Sequence, residues 1–207
     1  MSSCEPANVR GQLRRADKIM SPPEVDSFLS TAFCGRTATV DPDGFPYVVP
    51  NLFVWQERSV WLHTARGNGH FHRNVMHADR VCFEIDEPGE IFPYGFIECD
   101  TSVSYRSVVI FGRIQVVNDA EKARWFYTRF MEKYAPSHSW GREKGSFPRI
   151  PATCVYRITP ESITGKIGVL PAVEERWPSK NNTLSPQGGQ APELDRQEAS
   201  ARSRPSE

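Results

Sequence analysis

Net charge is missing from this chain: 25 Lys and Arg are balanced by 25 Asp and Glu over 207 residues. With no global field to recruit a polyanion, a nucleic-acid-binding or anionic-membrane role is disfavoured. Long apolar runs are missing too. None approaches the ~20 residues that span a bilayer, and the start, Met1 to Pro6, lacks the charged-then-apolar layout of a signal peptide. The expected location is cytoplasmic. Cysteine is sparse and unpatterned: Cys4, Cys34, Cys82, Cys99 and Cys154 are odd in number and form no C-x-x-C pair. A disulfide framework or structural zinc site needs closer spacing, so all five are expected as reduced thiols. G-x-S-x-G, P-loop and Rossmann fingerprints are also absent, which removes the hydrolase and kinase readings. There is no internal repeat.

What is present is concentrated between residues 36 and 83. Two short apolar runs, Thr37 to Val40 and Tyr47 to Val54, flank Asp41-Pro42-Asp43-Gly44. Pro fixes φ near the turn value and Gly accepts φ > 0, so this is a hairpin with a mechanism. A third strand, Ser59 to Thr64, follows the polar break Gln56-Glu57-Arg58 and runs into a Gly67-Asn68-Gly69 loop, with a helix expected over 70–77. A Gly-rich loop between strand and helix exposes backbone N–H groups beside a helix N-terminus, which suits a phosphate. A plain turn with a helix cap gives the same residues.

Elsewhere, Ser21 with Glu24 makes a capping box, Pro22 suits the first helical position, and Gly35 is expected to end that helix over 21–33. Further strands are expected at 80–86, 103–117, 153–158 and 162–167, with a turn at Asp86-Glu87-Pro88-Gly89-Glu90 and an ambiguous stretch over 91–100. Asn118 with Glu121 suggests a second capping box. Ala123, Phe126, Tyr127, Phe130, Met131 and Tyr134 then form a core-facing stripe on a helix over 119–134. Residues 1–12 are expected to be a disordered leader. After residue 172 the chain becomes rich in Pro, Ser and Gln, too poor in apolar surface to offset ordering entropy, so 173–207 are expected to be a disordered tail. Short strands closed by helices around one core over 13–172 favour a mainly β fold with flanking helices: a six-stranded Greek-key β-barrel.

The order of pieces carries more. Ala38-Thr39-Val40-Asp41, Asp43-Gly44, Pro46-Tyr47-Val48-Val49-Pro50, then His63-Thr64-Ala65, Gly69-His70 with Asn74, and Arg80-Val81-Cys82-Phe83-Glu84 together resemble the FMN-binding split-barrel family of pyridoxamine 5′-phosphate oxidase and its relatives. Arg14 to Lys18, Ser21 to Val25 and Ser104 to Gly112 bring it nearest the nitroimidazole-resistance-type branch. The resemblance implies a homodimer with FMN at the subunit interface and an oxidoreductase acting on a small oxidised substrate, a nitroaromatic among the candidates. It implies that His63 lies beside the cofactor as a hydrogen-bonding or proton-donating group. Thr64, Ala65, Gly69, His70, Phe71 and Asn74 would hold the flavin phosphate and ribityl chain, and Val48, Val49, Pro50 and Asn51 would lie along the isoalloxazine edge. Ser107 with Val108 would face the ring, and Trp140, Gly141 and Arg142 would reach the partner's cofactor or anchor a loop.

Many relatives carry Gly-Arg-Lys where this chain has Gly69-His70-Phe71. Phe71 cannot donate to a phosphate, so Arg66 and Arg73 are expected to share its charge with His70. Read from residues alone, His63 is equally a half-exposed strand histidine, with Trp61 on its face and Val60 and Leu62 inward; Val48 and Leu52 are equally inward core positions. His70 and His72 sit about 200° apart on a helix and do not converge, so no metal site is expected. Haem needs only one axial histidine and is the alternative cofactor. A non-catalytic flavin-binding dimer module is the remaining alternative.

Overall fold

A computed structural model describes residues 13–92, 101–135, 147 and 149–170. The expected leader and tail, the 93–100 stretch and Trp140-Gly141-Arg142 lie outside the described residues. The described residues contain three α-helices and seven strands: α1 (Pro22–Thr31), β1 (Gly35–Val40), β2 (Pro46–Asn51), β3 (Phe53–Gln56), β4 (Ser59–Ala65), α2 (His70–His77), β5 (Arg80–Phe92), β6 (Ser102–Val117), α3 (Ala120–Tyr134) and β7 (Thr153–Gly168). They divide between two compact units, one of residues up to 85 with 108–165, the other of 86–107 with 166 onward.

The seven strands form one antiparallel sheet in the order β2-β1-β5-β6-β7-β4-β3, and the sheet is not closed. This corrects the six-stranded reading, and no Greek-key closure is seen. The apolar run Tyr47 to Val54, read as one arm of the hairpin, breaks at Leu52 into β2 and β3, which serve as the two edges of the sheet. One residue therefore joins the opposite edges, so within the first unit the sheet must curl until they meet. The two expected final strands are instead a single β7 running through Pro160, and β5 runs straight through the expected turn at Asp86 to Glu90.

Local chemistry explains each boundary. The Ser21–Glu24 capping box is present, with Ser21 N–H donating to Glu24 Oε2 at 2.7 Å. At α3 the cap is Asp119, whose carboxylate accepts from Glu121 N and Lys122 N, in place of the expected Asn118 box. Asp41 Oδ1 accepts from Asp43 N and Phe45 N while Gly44 takes φ 87°, so the β1–β2 turn forms as expected. Gly35 opens β1 instead of ending α1. A Cβ there would lie 2.1 Å from the Phe83 ring, so the close approach of β1 to β5 requires glycine.

In the first unit, Phe28, Leu29, Phe53, Leu62, Phe83, Ile85, Ile110 and Ile158 are buried on the inner side of the sheet. A second cluster of Val54, Trp61, Ala123, Phe126 and Val155 forms where α3 covers the other face of β3, β4 and β7. In the second unit Arg106 pairs with Glu87 at 2.6 Å, and Lys166 lies 5.4 Å from the Tyr105 ring. Among the described residues no helix is long and apolar enough to cross a membrane.

Candidate functional site

Helix α2 is the hub. It follows the Gly67-Asn68-Gly69 loop, begins at His70 as the sequence predicts, and ties together two parts of the sheet distant in strand order. On one side Asn74 Nδ2 donates to Thr39 Oγ1 of β1 at 3.0 Å, both residues being buried. His70 stacks on Tyr47 of β2 with ring centroids 4.4 Å apart. On the other side His72 Nδ1 lies 2.9 Å from Tyr156 Oη of β7. Tyr156 is fully buried, its ring meets Phe71 edge-on at 5.3 Å, and its hydroxyl is 3.3 Å from Thr64 Oγ1 of β4. Cys154 Sγ stands 4.0 Å from the same His72 nitrogen. Pairing of Thr64 with Cys154 and Leu62 with Tyr156 across β4 and β7 fixes this cluster.

Burial, reinforced by the Cys154 neighbour, pushes the Tyr156 hydroxyl well above the ordinary phenol range, so it keeps its proton. Which of Tyr156 Oη and His72 Nδ1 donates in this contact is set by the tautomer of the imidazole. Sequence reasoning placed Thr64 here but missed Tyr156, Cys154 and His72. The alternation of Cys154 and Tyr156 about Val155 was visible; the register that brings them to Thr64 was not.

The loop end is cationic and open. Gly69 caps α2 without a side-chain acceptor, and the first turn has no acidic residue. The N-terminal amides of α2 thus lack the side-chain partner that a Ser or Asp cap would supply. Arg66 is anchored by its backbone N–H to Ala152 O at 2.8 Å, and its guanidinium has no partner among the described residues. Arg73 donates to the Asn68 carbonyl. Asp41 Oδ2 sits 3.9 Å from His70 Nε2, so a carboxylate already occupies one edge of that imidazole.

The other expected site residues fall into separate places. Phe71 and Asn74 are buried and engaged as described. Asn51 is buried, its Oδ1 accepting from Thr37 Oγ1 at 2.7 Å. Ala65 is exposed at the end of β4. Val49 is half-buried, on the face of β2 that carries Tyr47 and Asn51; Val48 and Pro50 point outward, and Val48 is 57% exposed, which corrects the inward expectation for it. The reason is register: buried Thr37 and Thr39 pair with Val49 and Tyr47. Ser107 is half-buried on β6 in the second unit.

His63 lies apart from the loop. Its place in β4 turns it away from Thr64 and under α3, where Phe126, Tyr127 and Phe130 surround it at centroid distances of 5.8, 5.4 and 5.1 Å. Its Nδ1 is buried without a partner among the described residues, as is the Tyr127 hydroxyl. Burial lowers the His63 pKa, leaving a neutral imidazole at pH 7 that offers a hydrogen bond and not a proton. Burial likewise raises the pKa of Tyr127. The described cysteines, Cys34, Cys82 and Cys154, are free thiols, and no group of His, Cys, Asp or Glu among the described residues could hold a metal ion.

The domain is thus mainly β with flanking helices, an open antiparallel sheet with a Gly-rich loop feeding a short helix. The pyridoxamine 5′-phosphate oxidase family model matches residues 21–167, and the chain belongs to that family. Among solved structures it is similar to one assigned as a 5-nitroimidazole antibiotic resistance protein from Bacteroides thetaiotaomicron VPI-5482, with 20% identity, TM-score 0.60, and 72% of this chain and 86% of that one covered. It is also similar to an FAD and heme binding protein from Mycobacterium smegmatis (18%, TM-score 0.62, 84% and 88%). A third likeness is to the flavocytochrome Anf3 from Azotobacter vinelandii (18%, TM-score 0.63, 89% and 90%). At these identities the likeness speaks for the fold. No curated protein matches the chain.

Proposed function

We propose that the chain is an FMN-dependent oxidoreductase acting on a small oxidised substrate, with the flavin phosphate seated at the N-terminus of α2. The observation that carries this reading is the pairing of an uncapped, acid-free helix start with the unpartnered guanidinium of Arg66 and the nearby Arg73. Bidentate Arg donors suit a phosphate dianion better than the Lys of other relatives. Phe71 stays in the core and contributes no charge. His70 contributes less than expected, because Asp41 competes for its imidazole. A bound flavin would supply hydride chemistry. The protein's share is placement: Thr64, Tyr156 and His72 fix the end of β4 against α2, and Val49 offers an apolar edge.

The outer face of β1 and β2 shows Val40, Phe45 and Val48 at 45%, 72% and 57% exposure. This exposed apolar face supports the homodimer reading, in which a second copy of the chain would cover it. The test is turnover: protein loaded with FMN, given NAD(P)H and a nitroaromatic, should oxidise the nicotinamide. Protein that binds FMN without turnover would be a flavin-binding module instead. A haem reading is supported by the FAD and heme binding neighbour and by a half-buried His72 held through Nδ1; a Soret band in place of ~450 nm flavin absorbance would establish it.

A further inference from the structure

We propose a second small-molecule site in the first unit: the cavity bounded by α1, the β3–β4 hairpin and β7 binds an organic anion, a carboxylate carrying an apolar body. The cavity measures about 720 Å³, within the span typical of ligand sites. Met20, Val25, Pro160 and Ile163 give it apolar walls.

The charges on its rim are unequal in what they are free to do. Each acid is engaged: Glu57 with Lys122 at 3.2 Å, Glu161 with Arg113 at 2.7 Å, and Asp26 as acceptor for Trp55 Nε1 at 3.1 Å. The two cations are not so engaged. Arg157 is half-buried, donates among the described residues only to the neutral Ser59 hydroxyl at 3.0 Å, and lies 5.3 Å over the Trp61 ring. Arg58 has neither hydrogen-bond nor ion-pair partner among the described residues. A half-buried guanidinium without an anion is costly to hold, and an apolar cavity beside it strengthens attraction for one.

Backbone strain supplies an independent sign. The two central residues of the β3–β4 hairpin, Glu57 and Arg58, both take φ 51°. This turn favours Asn-Gly, and β-carbon-bearing Glu and Arg hold it at a cost in stability. Glu57 has its partner in Lys122. Arg58, exposed at the rim of the cavity, has none among the described residues.

The test is calorimetric titration of the full chain with decanoate and with 4-phenylbutyrate, decan-1-ol serving as the uncharged control. At least one carboxylate should bind once per chain, and more tightly than decan-1-ol. Arg58→Asn should weaken it roughly tenfold or more, the loss of a charge-assisted contact, while raising Tm by about 2–4 °C as the strain is relieved. Ile19→Glu, at a rim residue that is 52% exposed, should also weaken it without unfolding the chain. Binding by neither acid, equal binding of decanol, or an affinity unmoved in both variants would overturn the proposal. The outcome is independent of flavin at α2.

Discussion

Replacing Tyr156 with Phe removes one oxygen from the centre of the candidate site and leaves the ring packed on Phe71. That oxygen joins His72 Nδ1 at 2.9 Å and Thr64 Oγ1 at 3.3 Å, in a residue with no exposed surface. Thr64 keeps its bond to Ala65 O at 3.1 Å, so its hydroxyl is not stranded. His72 Nδ1 keeps only the weak Cys154 Sγ contact at 4.0 Å, and its half-buried position lets water take over part of the role. Two hydrogen bonds at their usual net value amount to about 2 kcal/mol. For a domain of this size that is a fall in Tm of roughly 4–8 °C. Thermal melts followed by circular dichroism, with and without excess FMN, measure it. If the cluster also positions the loop, FMN should rescue the variant less than it rescues the parent, because linkage scales with affinity. An unchanged Tm would mean that the β4–α2–β7 cluster contributes nothing to the fold. A lowered Tm with full FMN rescue would separate it from cofactor binding.

Two further perturbations test other parts of the account. Gly35→Ala should destabilise by about 1–3 kcal/mol, since the added methyl meets Phe83 at 2.1 Å, and urea unfolding at parental midpoint would refute the close packing of β1 on β5. Burial of Lys133, whose Nζ lies 4.0 Å from the Phe53 ring and donates to Phe53 O at 3.2 Å, lowers its pKa to about 8. Between there and the ordinary lysine value the unfolded chain binds the extra proton, so stability should rise from pH 8 to 9.5 in the parent and not in Lys133→Met; parallel profiles would contradict the burial.

The sequence made α1, α2, α3 and the β1–β2 turn legible because each carries its own stop or start signal within a few residues. Ser21 with Glu24 and Asp41 through Gly44 are such signals, and their hydrogen bonds are local. What failed was non-local. The break at Leu52 follows from the strand having to serve both sheet edges, which no local propensity encodes. Pro88 lay in an expected turn and Pro160 in the gap between two expected strands, yet β5 and β7 run through them, since a missing N–H matters only where a neighbouring strand needs it. The Gly-rich loop and Arg66 and Arg73 were readable as a motif. Tyr156 and Cys154 were not, because only the β4–β7 register brings them to Thr64. The placement of His63 beneath Phe126, Tyr127 and Phe130 likewise depends on how α3 returns over the sheet.

The most direct test of the central claim is a titration of the purified chain with FMN and with riboflavin, repeated in Arg66→Ala, Arg73→Ala and the double variant. If the phosphate sits at the start of α2 between these guanidiniums, each single change should weaken FMN by about one to two decades. The double variant should bind FMN hardly better than riboflavin, and riboflavin itself should be nearly indifferent to all three. FMN affinity that survives the double substitution, or riboflavin binding as tightly as FMN in the parent, would contradict a phosphate site at this helix.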